Sequence, residues 1–299
     1  MKNKLYNILI LILSIILIVV FTLGLIKSKK ESTNPTDTVK DTEQTSKEES
    51  KTEENIDSKE VTSDADSSSD SNRFEGLTMI NDNRGVPVLY YHSIDDSQAN
   101  EVILSKENLR KQLTYIRDSG YTTLTMAELN DYIKNNKEIP EKSIVITFDD
   151  GYMDNYINAF PILKELNMKA TIFVITNGID DGYYMSKEQI KELSNYGIDI
   201  GSHTKTHCHL NTLSYEEQLK ELKESKNTLE EITGKEIISI AYPFGDFNEN
   251  SVKAAQAAGY SLAFTTDKGY AKRDTSSLKL NRIYVSSANT FEQFKERLK

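Results

Sequence analysis

The sequence predicts an α/β fold: a distorted (β/α) barrel of about seven or eight parallel strands, preceded by a transmembrane helix and a disordered tether. Three observations predict it. Residues 5–26 are almost purely apolar, residues 31–72 are acidic with almost nothing to bury, and from about Gly85 onward short apolar runs alternate with amphipathic helical patterns. The expected division is an anchor at 1–30, a tether at 31–72 and a folded domain at 73–299.

The anchor comes first. Residues 5–26 read LYNILILILSIILIVVFTLGLI, 22 positions interrupted by few hydrogen-bonding side chains. At ~1.5 Å per residue such a helix crosses a ~30 Å hydrocarbon core. A cleavable signal peptide would have a shorter apolar region and a small-x-small cleavage site, whereas Ile26 is followed by KSKKES. The expectation is an uncleaved membrane anchor. Lys2 and Lys4 with the amino terminus balance Lys27, Lys29 and Lys30, so flanking charge sets no orientation.

The tether, 31–72, has 13 acidic and four basic residues among Ser, Thr and Asn. That composition cannot offset the entropy lost on ordering. The remaining 227 residues carry a net charge of −6, which argues against a nucleic-acid partner. Cys208 is the single cysteine, so no internal disulfide forms.

Eight apolar runs follow as strand candidates: 86–94, 121–126, 143–149, 169–176, 198–203, 237–243, 261–266 and 280–285. Between them, SKENLRKQLTYIRDSG places Leu109, Leu113 and Ile116 on one helical face. Ser186 with Gln189, and Ser214 with Glu217, have capping-box spacing, and Gly197 and Gly234 stand where those helices would stop. Runs buried on both faces and alternating with helices indicate parallel β/α architecture. A doubly wound open sheet is the alternative.

In a β/α barrel, chemistry gathers where strands end at their carboxyl side. Three such ends are polar here: Asp149–Asp150, His203, and the YPFG of Tyr242–Gly245. Three of the four histidines lie within seven residues, in GSHTKTHCHL. If the chain turns helically there, His203 and His207 face the same way and suit a divalent metal such as zinc, with a carboxylate from another strand. A solvated polar loop and a helix-capping pair of aspartates are the alternatives. In a metal hydrolase one aspartate of the pair binds the metal and its neighbour, turned elsewhere, acts as a base. Gly151 then permits the sharp turn away from the strand.

TFDDG, HTKTH and YPFG, in that order and at these separations, resemble the NodB-homology polysaccharide deacetylases, carbohydrate esterase family 4. The resemblance spans roughly residues 86–285. It implies a distorted barrel that removes acetyl groups from N-acetylglucosamine units with a Zn²⁺-, Co²⁺- or Ni²⁺-like ion. Asp149 is then the general base, and Asp150, His203 and His207 hold the metal. Two departures stand out. Ala241 takes the place where the third motif usually begins with arginine, and the late stretch LKLNRIYV contains no histidine to serve as general acid. Arg282 is the candidate cation to orient Asp149, and His92, in VLYYHSI, the candidate acid. The early YHSI and late NRI resemble the branch that deacetylates poly-N-acetylglucosamine exopolysaccharides. Tyr152, Tyr242 and Phe244 are candidate substrate or oxyanion contacts, with core packing an equal explanation for Phe244. A polysaccharide substrate implies a single-pass protein of the cell membrane with its domain outside. A peptidoglycan N-acetylglucosamine deacetylase, and a non-catalytic glycan-binding module, are the competing functional readings.

Overall fold

Seven of the eight apolar runs close into one parallel barrel. The structure is a computed structural model that describes residues 73–97 and 99–298. Its strands are β1 (Val88–Tyr91), β2 (Ser143–Phe148), β3 (Thr171–Val174), β4 (Asp199–Ser202), β5 (Ser239–Ala241), β6 (Leu262–Lys268) and β7 (Leu280–Tyr284). They pair in sequence order, and β7 returns to β1 through Ile283–Leu89 and Tyr284–Tyr90, so no barrel edge is left open. The eighth run supplies only Thr122–Thr123, which pairs outside the closed ring with the start of β2. A register shift between Phe264 and Lys268 bends β6 against β7.

Side chains alternate across the barrel wall, as period-two geometry requires. Val88, Val145, Phe173, Ala241, Leu262, Phe264 and Leu280 face the interior and form one buried cluster. Leu89, Ile144, Ile146, Ile172, Ile240 and Ile283 face outward into a second cluster under the helices. Both faces are therefore apolar, which is why the strands read as continuous hydrophobic runs rather than alternating ones.

The helices follow the sequence signals closely. The long connection after β1 carries α1 (Lys106–Asp118) and α2 (Met126–Asn135). Leu109, Leu113 and Ile116 of α1 are buried. Leu129, Tyr132 and Ile133 of α2 join the interior cluster, so α2 plugs the barrel's amino-terminal end; there the Met126 amide donates to Asp199, the first residue of β4, at 2.7 Å. A π-helical turn (Asn155–Ala159) leads into α3 (Phe160–Glu165) after β2. The next helices are α4 (Lys187–Tyr196), α5 (Tyr215–Thr233) and α6 (Glu249–Ala257), with α7 (Phe291–Glu296) following β7. The capping boxes at Ser186–Gln189 and Ser214–Glu217 form, and Gly197 and Gly234 end their helices in the left-handed conformation. Among the described residues the β6–β7 connection has no helix, which makes the barrel irregular. No helix among them is long and apolar enough to cross a membrane; the expected anchor at 5–26 and tether at 31–72 lie outside the described residues.

One close approach positions β4 inside this wall. A methyl group on Gly201 would lie 2.5 Å from the Phe173 ring and 2.9 Å from Ser239 Oγ. Gly201→Ala should therefore destabilise the domain by about 1–3 kcal/mol, the usual range for overpacking. Urea unfolding of the single variant and of Gly201→Ala with Phe173→Leu checks this, with the second change recovering part of the loss.

Candidate active site

Asp149 and Asp150 separate because the backbone changes hand between them. Asp149 prolongs β2, its amide bonded to Tyr91 O at 2.8 Å, and its side chain follows Val145 and Thr147 into the barrel. Asp150 and Gly151 then adopt φ of 73° and 76°, which turns the chain sharply off the strand. Gly151 also sits against Val174, with only 3.2 Å available to a Cβ. Adjacent carboxylates thus serve two different places.

Asp149 is held by Arg282 from β7. The guanidinium donates through Nη1 to Oδ1 at 2.7 Å and through Nη2 to Oδ2 at 2.8 Å, a bidentate pair with no exposure of the arginine to solvent. Arg282 Nε donates to Thr265 O at 3.0 Å and Nη1 also reaches Thr147 Oγ1 at 3.3 Å. The Tyr90 ring lies 4.2 Å from the guanidinium carbon. Burial works against ionisation of Asp149, but the charge and hydrogen bonds of Arg282, with the nearby His203 and His92, together outweigh it and hold the carboxyl below its ordinary pKa.

Asp150 turns toward two imidazoles. Its Oδ1 is 3.3 Å from His203 Nε2 and 3.3 Å from His207 Nε2, and the three candidate ligand atoms lie within 4.8 Å of one another. His203 Nδ1 lies 2.8 Å from Ala241 O. A carbonyl only accepts, so Nδ1 carries the proton and Nε2 presents its lone pair to Asp150. The Asp150 oxygen is buried with no hydrogen-bond donor. Such convergence is costly unless a positive charge sits among the groups, so the donor set fits a divalent metal held by one oxygen and two nitrogens. The same demand shows in the titration of His203. Burial lowers its pKa, yet the facing carboxylates of Asp150 and Asp149 overcome this and raise it.

The route to that convergence differs from the expected helical turn. Residues 203–209 form no helix; Thr204 and His207 take φ of 64° and 57°, and the His207 amide bonds Thr204 Oγ1 at 3.0 Å. Two left-handed residues in a tight loop, rather than i,i+4 spacing on a helix, bring the imidazoles together.

The remaining candidates divide. His92 follows β1 onto the same rim, where its pKa is lowered by burial against the opposing pull of Asp149 and Asp150. Its ring Nδ1 is buried without a partner, and its carbonyl accepts from Asn155 Nδ2 at 2.8 Å. Tyr152 stacks on Tyr184 at 5.4 Å, and burial together with the Asp150 carboxylate raises its hydroxyl pKa. Phe244, at φ 60°, is 52% exposed, with His209 stacked 4.1 Å away and His207 at 4.5 Å. Tyr242 is placed otherwise than expected. It lies one residue out of phase with inward-facing Ala241, is fully buried, bonds Leu278 O at 3.1 Å and stacks on Phe247, so its ring belongs to the outer core.

Several contacts had no signal in the sequence. The Ala241 carbonyl and the Thr265 carbonyl act through the backbone, where residue identity carries no trace. Asp154 was more legible, lying in the same DDGYMDNY stretch. It accepts from Ser93 Oγ at 2.6 Å and from the Ile94 amide at 2.9 Å, tying down the segment that follows His92.

A closed parallel barrel with a buried carboxylate–guanidinium pair beside an Asp–His–His trio defines a hydrolase site. Residues 136–263 match the family described as polysaccharide deacetylase. The YxkH protein of Bacillus subtilis, a polysaccharide deacetylase by name, is 39% identical over 217 residues, 72% of this chain and 77% of that one. The poly-β-1,6-N-acetyl-D-glucosamine N-deacetylase of Staphylococcus epidermidis is 29% identical over 198 residues, 62% of this chain and 68% of its own. Among solved structures, the Streptococcus pyogenes deacetylase PplD in complex with acetate superposes with a TM-score of 0.69 at 31% identity, covering 73% of this chain and all of PplD. The chain belongs to the polysaccharide deacetylase family, and it is a hydrolase of that family.

The buried pair gives a direct test. Arg282→Met should cost about 3–5 kcal/mol at neutral pH, because Asp149 is left as an unpaired buried charge. Asp149 has a depressed pKa in the folded parent, so it adds stability above the unfolded carboxylate pKa of ~3.9 that is lost as pH falls through the folded value. In the variant, burial without the Arg282 charge and hydrogen bonds raises that pKa, and acid relieves the penalty. Denaturant titrations from pH 7 down to pH 4 should show the gap between parent and variant narrowing.

Proposed function

We propose that this protein hydrolyses the N-acetyl groups of poly-β-1,6-linked N-acetylglucosamine, with a divalent metal, zinc first, held by Asp150, His203 and His207. The observation that carries the reading is the Asp149 carboxylate, kept ionised by Arg282 beside a donor trio that demands a cation. The glycan follows from the named activity of the Staphylococcus epidermidis relative, together with the early His92 and late Arg282.

When bound, the metal supplies Lewis acidity to the acetyl carbonyl and to water. Asp149 takes the proton of the attacking water, its orientation fixed by both Nη groups of Arg282. The Phe244 amide, at the start of the short turn Pro243–Gly245, has no carbonyl within that turn to bond and meets the developing oxyanion. The proton that Asp149 takes from water is the one the departing amine needs, and His92, neutral at rest on the same rim, relays it from Asp149 to that amine. Tyr152 and Phe244 flank the sugar.

We read residues 1–30 as an uncleaved single-pass anchor and 31–72 as a tether that holds the 73–299 domain outside the cell membrane. The apolar run, the acidic composition and a polymer substrate found outside the cell support this arrangement.

Acetate release by the full-length protein, kept in detergent with added zinc or cobalt, tests the reaction. β-1,6-linked oligomers and peptidoglycan are compared in parallel. Release should occur from the oligomers, stop on chelation, and fall about a hundredfold or more in Asp149→Asn and in His92→Ala. Release from peptidoglycan alone would move the enzyme to cell-wall modification. No release from either, with metal bound, would overturn the proposal.

A further inference from the structure

Five large hydrophobic side chains are exposed among the described residues, and Tyr183 is the most exposed of them, at 64%. It is nevertheless held rigidly. Its amide bonds Asp181 Oδ1 at 2.8 Å, and its carbonyl accepts from the Met153 amide at 3.1 Å. Its ring meets Tyr152 edge-on at 5.3 Å and Tyr184 edge-on at 5.1 Å, while those two stack at 5.4 Å. Tyr184 is itself pinned on Gly178, where a Cβ would lie 2.3 Å from the ring. The three centroid separations form a nearly equilateral triangle, so from Tyr183 both neighbours fall within one sector of roughly 60°. The opposite side of the ring is clear of them.

The cluster adjoins the site already described. Tyr152 is two residues from Asp150, it forms a β-bridge with Tyr184, and the Met185 amide next to Tyr184 bonds the Gly151 carbonyl at 3.1 Å. A rigid, solvent-facing aromatic ring beside a site that takes a sugar polymer has one natural occupant, the C–H face of a pyranose. Resting on the proposed glycan reading, we infer that Tyr183 forms a subsite for a neighbouring N-acetylhexosamine unit of the chain, beyond the unit that loses its acetyl group. The residue adds affinity that depends on oligomer length and takes no part in the chemistry. It is preorganised by its tyrosine partners, so its ordering cost is met before substrate arrives.

The test is direct binding by calorimetry to full-length, zinc-loaded protein bearing Asp149→Asn, with β-1,6-linked N-acetylglucosamine from monomer to pentamer. Affinity should rise with length. In Tyr183→Ala that rise should shrink by about fivefold or more for the longest oligomers, and Tyr183→Phe should keep it, because an aromatic face rather than a hydroxyl is required. Equal length dependence in the parent and Tyr183→Ala would overturn the subsite while leaving the glycan reading standing. Failure of every oligomer to bind the parent would overturn both.

Discussion

A guanidinium buried in the barrel interior is the interaction on which the site rests. Arg282 and Asp149 are both removed from water, and neither would be stable there alone. The pair survives because the fork of the arginine matches the carboxylate, the remaining donors find Thr265 O and Thr147 Oγ1, and Tyr90 covers the planar face. Its residues come from β2 and β7, which are not neighbours: β1 lies between them. The pair therefore spans the seam where β7 returns to β1, and the closed barrel is what keeps it dry.

Around this pair the backbone departs from ordinary geometry. Asp150, Thr204, His207 and Phe244 all take positive φ, and each stands at or beside the proposed metal trio. Such conformations cost of order 1–3 kcal/mol apiece for residues with side chains, and they persist only where surrounding structure fixes them. The strands supply that fixing. The Asp150 carbonyl accepts from the Ile175 amide, and the His203 amide bonds Val174 O at 2.9 Å, so the strained loops are fastened to the end of β3. Rigidity in the wall permits irregularity at the rim.

Much of this was readable from residue patterns. The apolar runs marked every barrel strand, because a wall buried on both faces must be apolar throughout. Capping boxes and terminal glycines marked α4 and α5, since their chemistry is local. TFDDG and HTKTH marked the residues that converge. Three things were not legible. The route by which His203 and His207 converge, a loop with two left-handed φ angles at non-glycine residues instead of the expected helical turn, is announced by no composition. The phase of β5, which turns Ala241 inward and Tyr242 outward, hinges on a single residue of register. The ring of Tyr183 looks like any surface tyrosine until Tyr152 and Tyr184 are seen to brace it.

The orientation of His203 illustrates a wider consequence of building a site from backbone. Its proton is held at Nδ1 by the carbonyl of residue 241, and every amino acid provides that carbonyl. A change of side chain at 241 leaves the anchor of the imidazole in place, whatever it does to the interior volume. The tautomer is thus insulated from mutation at the residue that sets it.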